Sequence, residues 1–301
     1  MNDEQTLSLH VPSGGIYHAG RLKRYPDGSY ELLCCSRPVF REKGWEATDA
    51  DQLKADRRKA AAIDRDLVEL GWAEPEAPKA PTAASTERAA RRAAAKVRDL
   101  ALCNDFRWFV TLTLDAARVD RYDMREITRR LNNWLDNQVR RNGLRYVLVP
   151  ERHQDGAIHF HGFVNDGPGF VSSGTWSVPG HKKPIKPRSD KTRREWAARD
   201  DCHEVFNWLQ WPLGFSTAIP LYGSYQSAVA YVCKYVRKQT EGGKIGGRWY
   251  YSGGALQLPE VEFVDYGLPE LLNSGVDCYQ FKVPEAGLAF GLLRDFAKVE
   301  K

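Results

Sequence analysis

The stretch Ile158-His159-Phe160-His161-Gly162-Phe163 decides how the rest of the chain is interpreted. Successive side chains of a β-strand point to opposite faces of the sheet, so His159 and His161 share one face and Phe160 points to the other. Two neighbouring imidazoles on one face are placed to bind a divalent metal, although an ordinary polar sheet face gives the same pattern. The stretch therefore predicts a strand with a candidate metal site on one of its faces.

A glutamate stands eight residues before the first of these histidines. The apolar run from Leu144 to Pro150 ends at Glu151, and the following Arg152–Gly156 contains the Asp-Gly pair that is typical of a hairpin turn. If the two flanking runs pair antiparallel, Glu151 folds back close to His159. The sequence thus predicts a site of two histidines and one carboxylate, with open positions for substrate or water.

Composition limits the class of protein. The 301 residues suffice for one large domain or two small ones, and 44 Lys and Arg against 39 Asp and Glu give a mild net charge of +5. The six cysteines contain no Cys-x-x-Cys pair, and no signal-like segment opens the sequence, which favours a reduced, cytoplasmic setting. No apolar run approaches the roughly 20 residues of a membrane helix, so we expect no membrane partner.

A Pro- and Ala-rich segment, residues 73–85, predicts a semi-extended linker. The chain before it predicts an extension made of a β-hairpin, with its turn at Pro26–Ser29, and a helix from Thr48 to Gly71. The final segment carries apolar residues that suggest a helical tail. The predicted boundaries are 1–72 for the extension, 73–85 for the linker, 86–265 for the main domain and 266–301 for the tail.

Two basic stretches predict contact with nucleic-acid phosphates, although a solvated surface is the plain alternative. One is an alanine-rich helix that Ser85 or Thr86 can cap. The other is residues 165–205, which we predict to be irregular and to lie near the metal face. Together with a lysine of a later helix, the predicted DNA contacts are Arg88, Arg91, Arg92, Lys182, Lys183, Lys186, Arg193, Arg194 and Lys238.

That later helix runs from Ser224 to Lys238. Its apolar stripe, which predicts the buried face, consists of Tyr225, Val229, Val232 and Val236. Tyr231 and Tyr235 lie one turn apart beside this stripe, with Lys234 close by. A nearby ammonium favours a phenolate and binds a phosphate oxygen. The tyrosines are therefore either packing residues or a nucleophile beside a cation.

Three motifs, taken in order, resemble those of the HUH endonucleases, and in particular the rolling-circle replication initiators of small single-stranded DNA phages and plasmids. Phe109-Val110-Thr111-Leu112-Thr113 resembles motif 1, His159-Phe160-His161 resembles motif 2, and Tyr231-Val232-Cys233-Lys234-Tyr235 resembles motif 3. The resemblance covers about residues 86–255. It implies an α+β fold, in which a five-stranded antiparallel sheet is flanked by helices.

The resemblance also implies a chemistry. His159, His161 and Glu151 would bind Mg²⁺ or Mn²⁺. A tyrosine would attack a phosphodiester of single-stranded origin DNA, which leaves a 5′-phosphotyrosine link and a free 3′-OH. Tyr231 is the expected first nucleophile because Lys234 follows three residues later, and Tyr235 would alternate with it. The sequence contains no Gly-x-x-x-x-Gly-Lys-Ser/Thr loop, so a host helicase and the host DNA polymerase are the expected partners.

Other functions stay open at this point. A transposase or a mobilisation relaxase uses the same chemistry, although relaxases usually carry the nucleophile ahead of the histidines and such transposases are commonly shorter. A DNA-binding regulator on an inactive HUH fold is the alternative from a different class, and the presence of both histidines, Glu151, Tyr231 and Lys234 argues against it. A structural zinc site that combines Cys202 and His203 with the histidine pair is a further alternative.

Overall fold

The computed structural model describes residues 15–42, 82–153, 155–221, 225–239, 244–283 and 287–295. The strands are β1 (Gly15–Arg24), β2 (Tyr30–Glu42), β3 (Trp108–Leu114), β4 (Tyr146–Arg152), β5 (Ile158–Val164), β6 (Val171–Ser177), β7 (His203–Asn207), β8 (Gly214–Pro220), β9 (Tyr251–Gly253), β10 (Glu260–Val264), β11 (Tyr279–Val283) and β12 (Leu288–Asp295). The helices are α1 (Ala83–Cys103), α2 (Met124–Asn142), α3 (Asp190–Ala197), α4 (Tyr225–Lys238) and α5 (Leu268–Asn273). None of the helices in these ranges has the length and apolarity that crossing a membrane requires.

The described chain divides into two compact units. The smaller unit contains a five-stranded sheet in the order β10-β1-β2-β12-β11, so the predicted N-terminal hairpin, which is confirmed, shares a sheet with the end of the chain. Strand β12 pairs antiparallel with both β2 and β11. The predicted helix from Thr48 to Gly71 and the predicted linker up to residue 81 lie outside the described residues.

The prediction of a helical tail over 266–301 is wrong for most of its described part. Only the short helix α5 is helical there, and β11 and β12 are strands. The apolar residues Leu288, Phe290 and Leu292 recur every second position, which is the spacing of a strand. A cross-strand pair supports the register, because the rings of Phe281 and Phe290 stack with their centroids 5.2 Å apart.

The larger unit contains a seven-stranded sheet in the order β6-β7-β8-β3-β5-β4-β9, with α1 to α4 in the same unit. The α+β class is confirmed, but this sheet has seven strands rather than the five that were predicted. The difference comes from residues 165–205, which are not irregular and instead contain β6, α3 and the start of β7. Strand β6 is the edge strand and buries only Trp176, so it lacks the apolar alternation that predicts a strand.

Apolar clusters cover both faces of the larger sheet. On one face Ile127 and Leu131 of α2 belong to the same buried cluster as Phe160 of β5. On the other face Val232 of α4 belongs to a buried cluster with Phe163 of β5 and with residues of α1. Because alternate residues of a strand share a face, the odd-numbered His159 and His161 lie on the α4 side, opposite Phe160, as predicted.

The helix that carries the tyrosines also follows its predicted pattern. The predicted stripe is buried throughout and comprises Tyr225, Val229, Val232 and Val236. Helix α2 ends at Gly143, as predicted, in the left-handed conformation with φ of 61°. Helix α1 starts earlier than predicted, because Thr82 rather than Ser85 or Thr86 caps it and accepts a hydrogen bond from the Ser85 amide.

A glycine lets the histidine strand approach its neighbour. A Cβ at Gly162 would overlap the carbonyl oxygen of Val147 and would lie 2.9 Å from the Cα of Leu148 on β4. Real side chains do not approach backbone atoms so closely, so any larger residue would push β4 and β5 apart. The close pairing of these two strands sets the position of Glu151 relative to the histidines.

Candidate active site

Strand register places the predicted metal ligands together. Strands β4 and β5 pair antiparallel with Glu151 directly opposite His159, so the predicted hairpin pairing is confirmed. On the other side of β5, strand β3 sets Thr113 opposite His159 and Thr111 opposite His161. Since paired residues of an antiparallel sheet project to the same face, these five side chains share the face that α4 approaches.

Two threonines hold the imidazoles. The Thr111 hydroxyl lies 3.0 Å from Nδ1 of His161, and the Thr113 hydroxyl lies 3.2 Å from Nδ1 of His159. A hydroxyl can donate or accept a hydrogen bond, so it satisfies Nδ1 in either tautomer of a neutral imidazole. This arrangement leaves Nε2 of each ring for another partner, as the supported histidines of metal sites require.

Glu151 contacts a histidine and a lysine at once. Its Oε2 lies 3.1 Å from Nε2 of His161, and its Oε1 accepts from Nζ of Lys238 at 3.0 Å. Burial lowers the pKa of His161 to about 4 and also lowers the pKa of His159, although the charge of Glu151 opposes both shifts. Both imidazoles are therefore neutral near pH 7, which is the form that binds a metal.

The two tyrosines of α4 differ sharply in exposure. Tyr235 is only 6% exposed, and its ring stacks parallel on His161 with the centroids 4.6 Å apart. Its hydroxyl donates to the hydroxyl of Tyr231, which is 49% exposed and lies over Phe109. Burial and the hydrogen bond with Tyr231 raise the pKa of Tyr235 well above its ordinary value. Tyr235 thus stays protonated, and Tyr231 is the phenol that a substrate can reach.

The lysine in contact with the site is Lys238 rather than Lys234. Lys238 pairs with Glu151, and its Nζ lies 5.3 Å from the centroid of the Tyr235 ring. Lys234 is exposed, and no hydrogen bond or ion pair joins it to another residue in the described ranges. Sequence reasoning had grouped Lys238 with the DNA contacts, because helical spacing alone does not show how far α4 extends beside Glu151.

The three predicted metal ligands fit a divalent ion in their chemistry, since two neutral imidazoles and a carboxylate suit Mg²⁺ or Mn²⁺ beside a phosphate. Within the described ranges, however, no group of three or more His, Cys, Asp or Glu side chains is arranged to hold an ion. The contacts of Glu151 supply the reason. One carboxylate oxygen faces His161 and the other faces the ammonium of Lys238, so the carboxylate is already neutralised.

The basic stretches lie away from this cluster. The insert was predicted to lie near the metal face, but it connects β6 and β7 at the sheet edge, with β8 and β3 between β7 and the histidine strand. The same separation keeps Cys202 and His203 from joining the histidine pair in a zinc site. All predicted DNA contacts are exposed, on α1, the insert and α4 respectively: Arg88, Arg91, Arg92, Lys182, Lys183, Lys186, Arg193, Arg194 and Lys238.

The fold and the cluster together define an α+β protein with paired tyrosines on a helix facing two histidines and a glutamate on a sheet. Residues 107–240 match a family model of replication-associated proteins, of the type named after ORF2. The matched segment runs from the start of β3 to the end of α4 and so contains the whole cluster. No curated protein and no solved structure matches the chain. The match supports a role in replication as a rolling-circle initiator.

Proposed function

We propose that the chain is a metal-dependent nickase that starts rolling-circle replication by cutting single-stranded origin DNA. The observation that carries the proposal is the stacking of Tyr235 on His161 while its hydroxyl meets that of Tyr231. This arrangement sets a phenol that substrate can reach beside the two histidines and Glu151. A tyrosyl nucleophile needs such neighbours, because the phosphate it attacks must be polarised.

In the proposed reaction the phenolic oxygen of Tyr231 attacks the phosphorus of a DNA phosphodiester. The bond between phosphorus and the 3′-oxygen breaks, the phenolic proton passes to solvent, and the 3′-oxygen takes a proton from water. The products are a 5′-phosphotyrosine link and a free 3′-OH for the polymerase. We propose that a host helicase and the host DNA polymerase continue from this point.

His159, His161 and Glu151 would hold the divalent ion, Mg²⁺ or Mn²⁺. When bound, the ion would polarise the scissile phosphate. The residues of the chain itself supply position: Thr111 and Thr113 fix the imidazoles, and Tyr235 packs on His161. The buried Tyr235 also holds Tyr231 through its hydroxyl, so the nucleophile is oriented before substrate arrives.

The proposal is tested by covalent capture. With Mn²⁺ and a random-sequence pool of single-stranded oligonucleotides, the protein should form an SDS-resistant adduct. Because the link is to the 5′-phosphate of the downstream fragment, a fluorescent label at the 3′ end should stay with the protein and a label at the 5′ end should not. Retention of the 5′ label, or no adduct with either label, would contradict the proposed reaction.

The contact between Lys238 and Glu151 leads to a prediction about metal affinity. Replacing Lys238 by methionine removes the ammonium that competes for the carboxylate, while the methionine keeps the unbranched stem. We expect Mn²⁺ to bind Lys238→Met about two- to fivefold more tightly than the original chain in the absence of DNA, since a partly exposed ion pair contributes about 0.2–1 kcal/mol. Isothermal titration calorimetry measures the change directly.

Lys234→Met is the matched control, because Lys234 is an exposed lysine one turn earlier on the same helix. It removes the same charge without touching Glu151, so its Mn²⁺ affinity should change less. Equal affinities for the two variants would show that the Lys238 contact does not compete with the metal.

A further inference from the structure

An exposed aromatic side chain continues the row of site residues. Strand β8 pairs with β3 so that Phe215 lies directly opposite Thr113, which itself lies opposite His159. The row Phe215, Thr113, His159 and Glu151 therefore crosses four neighbouring strands on one face. At about 4.8 Å between strands, Phe215 lies roughly 10 Å from His159 along this row.

The ring of Phe215 stands free on that face. It is 66% exposed, whereas Phe163, on the same face, is fully buried beneath α4. In the described ranges no other aromatic ring lies against it, and its neighbour along the same face is the small Thr217. A bare phenylalanine in a strand gains nothing from solvent, so its position asks for a partner with a flat apolar surface.

We propose that Phe215 stacks on a base of the single-stranded DNA whose scissile phosphate lies at the histidines, an inference that rests on the proposed function. Every base offers a π-face, and stacking of bases on aromatic side chains is the usual sequence-tolerant contact in single-strand binding. At about 3.4 Å per nucleotide, the stacked base lies within about three nucleotides of the phosphate.

The charges around the row favour a nucleic acid over an apolar protein partner. Lys238 lies beside Glu151 at one end of the row. At the other end the guanidinium of Arg118 donates to the carbonyl oxygen of Pro212, just before β8 begins. Both cations are about half exposed, so both are accessible to phosphates on either side of the base.

The test separates bases from phosphates. Fluorescence anisotropy without metal measures binding of oligothymidylate and of an abasic oligonucleotide of the same length, which keeps the phosphates and lacks the bases. We expect Phe215→Ala to weaken oligothymidylate binding by about 5- to 100-fold and to leave abasic binding unchanged, whereas Phe215→Trp restores the loss.

Leu209→Ala is the matched control, since Leu209 is 70% exposed but lies in the β7–β8 connection, next to Gln210, whose carbonyl accepts from Trp134 of α2 on the opposite face. It should bind both oligonucleotides as the original chain does. Unchanged oligothymidylate binding by Phe215→Ala would overturn the stacking assignment, and so would equal losses on both oligonucleotides. Because the assay needs no cleavage, that failure is distinct from a failure of adduct formation.

Discussion

Replacing Tyr231 by phenylalanine should abolish the SDS-resistant adduct between the protein and single-stranded DNA. The change removes one oxygen, and that oxygen is the proposed nucleophile. The side chain is half exposed, so the fold and the binding of DNA should persist. Loss of a nucleophile removes the covalent path altogether rather than slowing it, so we expect no adduct even after long incubation. Denaturing gels of the 3′-labelled reaction measure the outcome.

Tyr235→Phe is the matched variant on the same helix. Tyr235 is buried against His161 and its hydroxyl is engaged with Tyr231, so it should still allow adduct formation, at a reduced rate. The resemblance to paired-tyrosine initiators implies that the two phenols alternate. For Tyr235 to cut, its ring would have to leave the imidazole. Loss of the adduct with Tyr235→Phe alone would reverse the assignment of the first nucleophile.

The second large effect is expected at the histidines. The double variant His159→Ala with His161→Ala should lose metal-dependent cleavage by at least about 100-fold, because it removes both proposed nitrogen ligands. DNA binding should largely remain and should still weaken with rising salt, since the exposed basic residues supply the phosphate contacts. Cleavage rate and binding at several salt concentrations are the two measurements.

His161 is largely covered, so the alanine variant also leaves a gap in the site. A double glutamine variant keeps more of the volume, and thermal unfolding reports whether either variant stays folded. His181→Ala, in the exposed insert, is the control that removes a histidine elsewhere. Equal cleavage by a folded double variant would reject the ligand assignment.

Local patterns were enough to predict the heart of the site. The alternation around His159 and the Asp-Gly turn before it together predict that Glu151 returns to the histidines, and the register confirms this pairing. The stripe of α4 likewise predicts which residues are buried. In both cases the signal lies within about 15 consecutive residues, where side-chain period alone determines the face.

Contacts between distant segments were not accessible in the same way. The bond of Thr111 to His161 joins residues 50 positions apart, and it depends on the register between β3 and β5. The choice of Lys238 over Lys234 depends on how far α4 runs along the sheet, which helical spacing does not encode. Phe215 becomes informative only once β8 is known to pair with β3.

The errors have a common physical origin in partly exposed strands. Edge strand β6 buries a single tryptophan, so its sequence carries little periodic signal. The tail that was predicted as helix has apolar residues whose short run fits either period, and pairing with β2 decides for the strand. In both segments the partner strand, rather than the local sequence, determines the structure.

The most direct test of the tyrosyl-transfer mechanism is to identify the residue that carries the DNA. The adduct formed with Mn²⁺ and single-stranded oligonucleotides is trimmed with a nuclease, digested with a protease and sequenced by tandem mass spectrometry. The account predicts a nucleotide phosphate on Tyr231 in a peptide from the matched segment 107–240. A nucleotide on a residue outside α4, or an adduct that forms equally well in the presence of EDTA, would contradict it.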